Sequence, residues 1–172
     1  MRGYPFFLAR EGMYLPGEVR AIPVPEPAAG AEWTVNVPGG RQWRVLGGTF
    51  KLTTSATVDT RTPAVVYSLG GARFFAAEFS TGQAAGVTDT YVMQQLEQGE
   101  SAQVAGGLNL IDVPKLWWPG GTIIESSTDL VQAGDQYSDI SLYVEEVWFA
   151  NSDLRDHDEH RHHPANPQNK AG

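Results

Sequence analysis

The side chains best suited to chemistry fall in two places. Near the C-terminal end, His157, His160, His162 and His163 crowd into "DHDEHRHH" and are all the histidines the chain has. Imidazoles at such spacings can converge on a divalent metal. The run has no apolar frame to fix its rings, however, and Asp156-His157-Asp158-Glu159-His160 departs from the His-Glu-x-x-His arrangement of zinc hydrolases. A solvated polar tail is therefore expected, with no metal assigned and with His160 and His162 as candidate contacts to a partner. The second place runs from "KLWWPGG", which begins at Lys115, to Trp148. Trp117 and Trp118 could serve as stacking platforms, and Asp129, Asp135 and Asp139 could bind sugar hydroxyls or calcium. Adjacent residues of a strand point to opposite faces, so one tryptophan belongs to the core and the other to a rim or interface, with Trp118 the candidate contact. Asp135, directly after Gly134, reads as a turn residue whose side chain caps its own backbone.

Catalytic arrangements find less support. With every histidine in the tail, a Ser-His-Asp triad would need that tail to fold back over the domain. Glu145 and Glu146 cannot flank one bond, because strand neighbours diverge, and Glu146 in phase with Ile140, Leu142 and Val144 marks the expected end of burial. The Gly-Gly pairs are not followed by Lys-Ser/Thr or a helix, so no phosphate loop is read. The absence of cysteine removes thiolate nucleophiles and Cys-zinc sites. A non-enzymatic chain without cofactor is expected.

The elements that must position these residues are strands. In "EWTVNV", Trp33, Val35 and Val37 share one face, and Glu32, Thr34 and Asn36 the other. After the Pro38-Gly39-Gly40 turn signal, Trp43 and Val45 point inward, Gly47-Gly48 interrupts, and Phe50 and Leu52 resume a shared face. Such a glycine pair predicts a bulge or bend at which one long strand can pass between sheets. Val65 to Leu69 and Arg73 to Phe79 read as a hairpin joined at Gly70-Gly71. Val87 to Met93 suits a strand, "SAQVAGGLNLIDVP" a short strand or extended loop, and "TIIESS" and "SDISLYVEEVWF" two more strands. About eight strands with turn signals roughly every ten residues predict an all-β, antiparallel β-sandwich, with jelly-roll connectivity as the narrower expectation.

Length and composition agree. The chain's 172 residues suit one domain, and 41% hydrophobic with 19% charged residues suffices to bury a core. A net charge of −8 with scattered Lys and Arg argues against a nucleic-acid partner. The apolar cluster Phe6-Phe7-Leu8 is too short for a signal peptide or a membrane span. Residues 1–30, broken by Pro5, Pro16, Pro23, Pro25 and Pro27, read as an extended arm ahead of a sandwich over 31–150. Residues 151–172 form the polar tail, expected to be disordered alone in solution. Tyr4, Phe6, Phe7, Met13 and Tyr14 are the arm's candidate partner contacts. Proline lowers the entropy lost when such an arm is ordered on a neighbour.

Two blocks carry a resemblance: "WTVNVPGGRQWRVLGGTFKLTTSATVDTRTP" from Trp33 to Pro63, and "LWWPGGTIIESSTDLVQAGDQYSDISLYVEE" from Leu116 to Glu146. Their series includes a strand ending in Val-Pro, a glycine turn, Trp43-Arg44-Val45, and Arg61 before a proline. Leu116-Trp117-Trp118-Pro119-Gly120, Gly134-Asp135 and the closing strand continue it. This resembles the small structural proteins of tailed bacteriophages. The resemblance implies a β-sandwich virion component and supplies no catalytic residues. The implied partners are other virion proteins, either the major capsid protein or connector and tail proteins, with a homo-oligomer expected. The implied place is the head side of the virion, as capsid decoration or cement or at the head-tail junction. A receptor- or carbohydrate-binding module of a fibre or spike is the alternative.

Overall fold

The alternating stretches lie down as strands in the computed structural model, which describes residues 17–79, 82–96, 102–104 and 108–148. In chain order they are β1 (Glu18–Pro23), β2 (Thr34–Asn36), β3 (Arg41–Thr53), β4 (Thr62–Leu69), β5 (Ala72–Glu78), β6 (Thr88–Gln94), β7 (Ala102–Val104), β8 (Leu108–Asp112), β9 (Trp117–Pro119), β10 (Ile123–Asp129) and β11 (Gln136–Trp148). One sheet has the order β1-β11-β3-β6-β8-β7, with β9 paired to β3 off that path, and the other has the order β2-β10-β4-β5. The two pack as an all-β sandwich whose pairings are antiparallel apart from β6 with β8.

The long strands β3 and β11 form the spine, and each keeps its apolar side chains inward by spending one extra residue. Trp43 and Val45 are buried at odd positions of β3, whereas Phe50 and Leu52 are buried at even ones. The register explains the change. Val45 faces Val144 and Gly47 faces Tyr143, so Leu46 is an unpaired bulge residue. On β11 the reset falls between Ser138 and Ser141, where Asp139 has φ of 50°, and it brings Tyr137 and then Ile140, Leu142 and Val144 to the same face. Gly48 follows the first bulge where the chains crowd: a Cβ there would stand 2.5 Å from the Ser141 carbonyl oxygen and from Met93 Cε.

Between the sheets the core is largely aromatic. Phe50 stacks on Tyr91 at 4.9 Å and meets Trp33 at 5.8 Å and Tyr137 at 5.6 Å, while Phe79 meets Tyr91 edge-on at 5.7 Å. Each such pair contributes about 0.5–1.5 kcal/mol beyond its area burial. The Gly70-Gly71 hairpin joins β4 to β5 with φ of 60° and 83°, the left-handed pair that a tight two-residue hairpin turn requires.

Several sequence expectations change here. The described part of the 1–30 arm is not free: β1 is hydrogen-bonded along β11 from Glu18 to Pro23, and Val24 is buried. Prolines permitted this because Pro23 sits at the end of an edge strand, where its missing N–H costs no ladder bond. β3 bulges at the glycine pair as expected, but it stays in one sheet throughout. The stretch around "AQV" and "LNLID" is two strands, one of them parallel to β6, and the described strands exceed the eight expected. This strand order does not establish jelly-roll connectivity.

Candidate functional site

Arg41 and Trp43 open β3 in phase with the buried Val45, so all three point between the sheets. Directly across from Trp43 on β11 stands Glu146, and Arg20 of β1 faces Val144, two residues along β11 and on the same face. These groups meet. Glu146, only 1% exposed, accepts from Trp43 Nε1 at 2.7 Å, from Arg41 Nη1 at 2.9 Å and from Arg20 Nη1 at 3.0 Å. Burial pushes its pKa up, but the hydrogen bonds from Trp43, Arg41 and Arg20 outweigh burial and hold the carboxyl below its ordinary value. It is therefore an anion clamped by strands on either side. The Arg41 guanidinium also lies 3.7 Å from the centre of the Trp148 ring, which stays half exposed at the sheet's end. Sequence phase had Glu146 marking the end of burial. Burial instead continues through it, because an indole and two guanidinium groups compensate the charge.

On the opposite face of the same strands Glu145 pairs with Arg44, whose guanidinium lies over the Trp117 ring at 5.3 Å. One row of side chains thus runs Val19, Glu145, Arg44, Trp117 across β1, β11, β3 and β9.

The far end of the β3–β11 pair holds a second buried ion pair. Arg61 is fully buried, and each of its five N–H groups has an acceptor. Nε and Nη2 grip the two Asp135 carboxylate oxygens at 2.9 and 3.0 Å, Nη2 also donates to Ser55 Oγ, and Nη1 donates to the carbonyls of Thr57 and Asp59. Asp135 accepts in addition from the amides of Ser55 and Gln132. Burial raises the Asp135 pKa, yet the bonds from Arg61, Ser55 and Gln132 lower it to about 2 from an ordinary 3.8. The expected cap of its own loop is present through Gln132. What the sequence reading missed is that the same carboxylate anchors Arg61, and with it the loop from Ser55 to Asp59.

The proposed sugar platform does not assemble. Trp118 pairs with the inward-facing Trp43, so it too turns inward, 7% exposed and stacked on Tyr67 at 4.5 Å. This corrects its assignment as a surface contact. The outward member is Trp117, which pairs with Arg44. Asp135 is committed to Arg61, Asp139 pairs with Lys51 at 2.7 Å, and Asp129 ends β10 in solvent. Among the described residues no group of three His, Cys, Asp or Glu side chains is placed to hold a metal ion. Tyr4, Phe6, Phe7, Met13, Tyr14, His160 and His162 lie outside the described residues.

A feature the sequence reading treated as arm is the remaining candidate. β1 pairs only with β11, so its outer edge is open among the described residues, and Val19 on it is 64% exposed. The buried Glu146 cluster ties this edge strand, through Arg20, to the centre of the sheet. No protein-family model, curated protein or solved structure matches the chain.

Proposed function

We propose that this chain is a non-enzymatic structural subunit of a tailed-phage virion, placed on the head side as a capsid decoration or cement protein or at the head-tail junction. It works by surface and arm contacts with other virion proteins. The observation that carries the reading is the coupling of β1 to the sandwich. The strand into which the aromatic leader runs is open on one edge among the described residues and pinned on the other by a buried carboxylate shared among Arg20, Arg41 and Trp43. A contact made by Tyr4, Phe6, Phe7, Met13 or Tyr14 would then load a rigid sheet rather than a loose tether. Small gains at each contact would sum across a symmetric particle. The resemblance of the Trp33–Pro63 and Leu116–Glu146 blocks to phage structural proteins supports the choice of particle.

The buried charged groups favour this reading over a reactive site, since Glu146 and Asp135 are each saturated by donors from neighbouring strands and loops. The alternative of a receptor- or carbohydrate-binding module draws on Trp117, whose ring is partly exposed. Deleting residues 1–16 tests the choice. The truncated chain is expected to keep the strand signature of the full chain by circular dichroism and to be missing from purified particles that incorporate the full chain. Equal incorporation would overturn the arm reading. Specific binding on a glycan array, lost in Trp117→Ala, would favour the alternative.

A further inference from the structure

We propose that two copies of this chain pair through β1, edge to edge and antiparallel about a two-fold axis at Val19, to give one continuous sheet. The backbone sets which registers are possible. Val24 donates to the Ile140 carbonyl directly opposite it, so alternate residues back along β1, namely Ile22, Arg20 and Glu18, turn their amides toward β11. Val19 and Ala21 therefore turn theirs outward, and Pro23, at the next outward position, has no N–H to offer.

Side chains then select among symmetric pairings. Centring the axis between Gly17 and Val19 sets Glu18 against Glu18 of the other copy. Centring it between Val19 and Ala21 sets Arg20 against Arg20. Both place like charges directly opposite, which is destabilising. Centring it at Ala21 brings Pro23 against Val19 and leaves a carbonyl without its donor. Centring it at Val19 gives the Val19 pair both of its backbone bonds, matches Ala21 with Gly17, and puts each Glu18 beside the other copy's Arg20. Those charged pairs fall at the non-hydrogen-bonded positions, where side chains approach most closely.

The charges are available for this. Glu18 is exposed, has no partner among the described residues, and faces Glu146 across the β1–β11 ladder. Arg20 uses one terminal nitrogen on Glu146 and its side chain remains 42% exposed, so its other nitrogens can reach a carboxylate. An open edge with an exposed valine at its centre is the kind of strand that soluble proteins usually blunt. Here Pro23 does so at the position where the paired ladder would end, and the charges of Glu18 and Arg20, which would blunt an unpaired edge, are matched in this register. The inference concerns self-association alone and holds whether or not the assembly is a virion.

The absence of cysteine makes a direct test available. In the full chain, Val19→Cys places two thiols in a hydrogen-bonded pair with Cα atoms about 5.5 Å apart, within the range that a disulfide spans. Mild oxidation is expected to convert Val19→Cys to a covalent dimer, while Ala21→Cys, which faces Gly17 of the other copy, forms no cross-link on the same timescale. In sedimentation equilibrium the unmodified chain is expected to dimerise, with Val19→Lys and Glu18→Arg each weakening association by about tenfold or more. A monomer at every concentration would overturn the proposal. So would a dimer in which Ala21→Cys cross-links as readily as Val19→Cys, or one indifferent to both charge substitutions. If the dimer forms as described but the chain never enters particles, only the virion reading fails.

Discussion

Replacing Arg61 with alanine would leave Asp135 buried without its counter-charge, and would free the carbonyls of Thr57 and Asp59 that the guanidinium now satisfies. Breaking a buried pair from one side costs about 3–5 kcal/mol, so Arg61→Ala is expected to lower the urea midpoint by that equivalent. Arg61→Lys should recover little of it, because a single ammonium cannot make the paired contact with both oxygens. A loss under about 1 kcal/mol would show that the pair behaves as if it were exposed. The pH dependence is set by the sign of the Asp135 shift. Its folded pKa of about 2 is below the ordinary 3.8, so its stabilisation is fully present above about 4 and is lost as pH falls through that value toward 2. Glu146 is shifted in the same direction and adds to the same acid loss. Asp135→Asn should flatten the stability profile in that window while lowering stability near neutrality. An unchanged acid slope in urea titrations would remove Asp135 from the account. At the other end, Glu146→Ala strands the Trp43 indole N–H and two guanidinium groups, and about 1–3 kcal/mol should be lost for the unsatisfied indole alone.

Among the strands, β3 and β11 depend on their bulges. Gly48→Val would push a side chain into the Ser141 carbonyl and Met93, at a position whose neighbours belong to paired strands on both sides. Its expected effect is a loss of more than about 2 kcal/mol by denaturant unfolding, in the range of an overpacked core. Full retention of stability would mean that the bulge can be relaxed. The alternation that revealed these strands was legible because one face is buried and the other wet, as with Trp33, Val35 and Val37 or Ile140, Leu142 and Val144. The glycine pair announced the bulge in β3. The matching reset at Asp139 carried no glycine, and so gave no local signal. Charge at an inward phase carried more than the end of burial read from Glu146: Glu146 follows Val144 in step, and Arg41 precedes Trp43 and Val45 in step, so two facing strands carry opposite charges on their buried side. Arg61 and Asp135 stand far apart in sequence, and only the closure of the fold brings them together. β1 was hidden by the prolines around it and by Pro23, which leaves an edge strand intact because it falls at the strand's end. Trp118 was misassigned because alternation says that two neighbours diverge without saying which goes inward. Its pairing with Trp43 decides that.

The described residues form a sandwich with a buried ion cluster at each end of its longest strand pair and, among those residues, an open edge along β1. The clusters hold strands and loops in fixed relation, which suits a part whose task is to keep its surfaces in place while others bind them. On the proposed reading the leader and β1 are the binding elements, and the sandwich is the rigid body that they join to its neighbours. The measurement that bears most directly on this is quantitative mass spectrometry of density-purified phage particles. The account predicts that the chain is present at a fixed ratio to the major capsid or connector protein and remains after washing in high salt. A chain found only in the soluble fraction of the lysate, with none in intact particles, would contradict it.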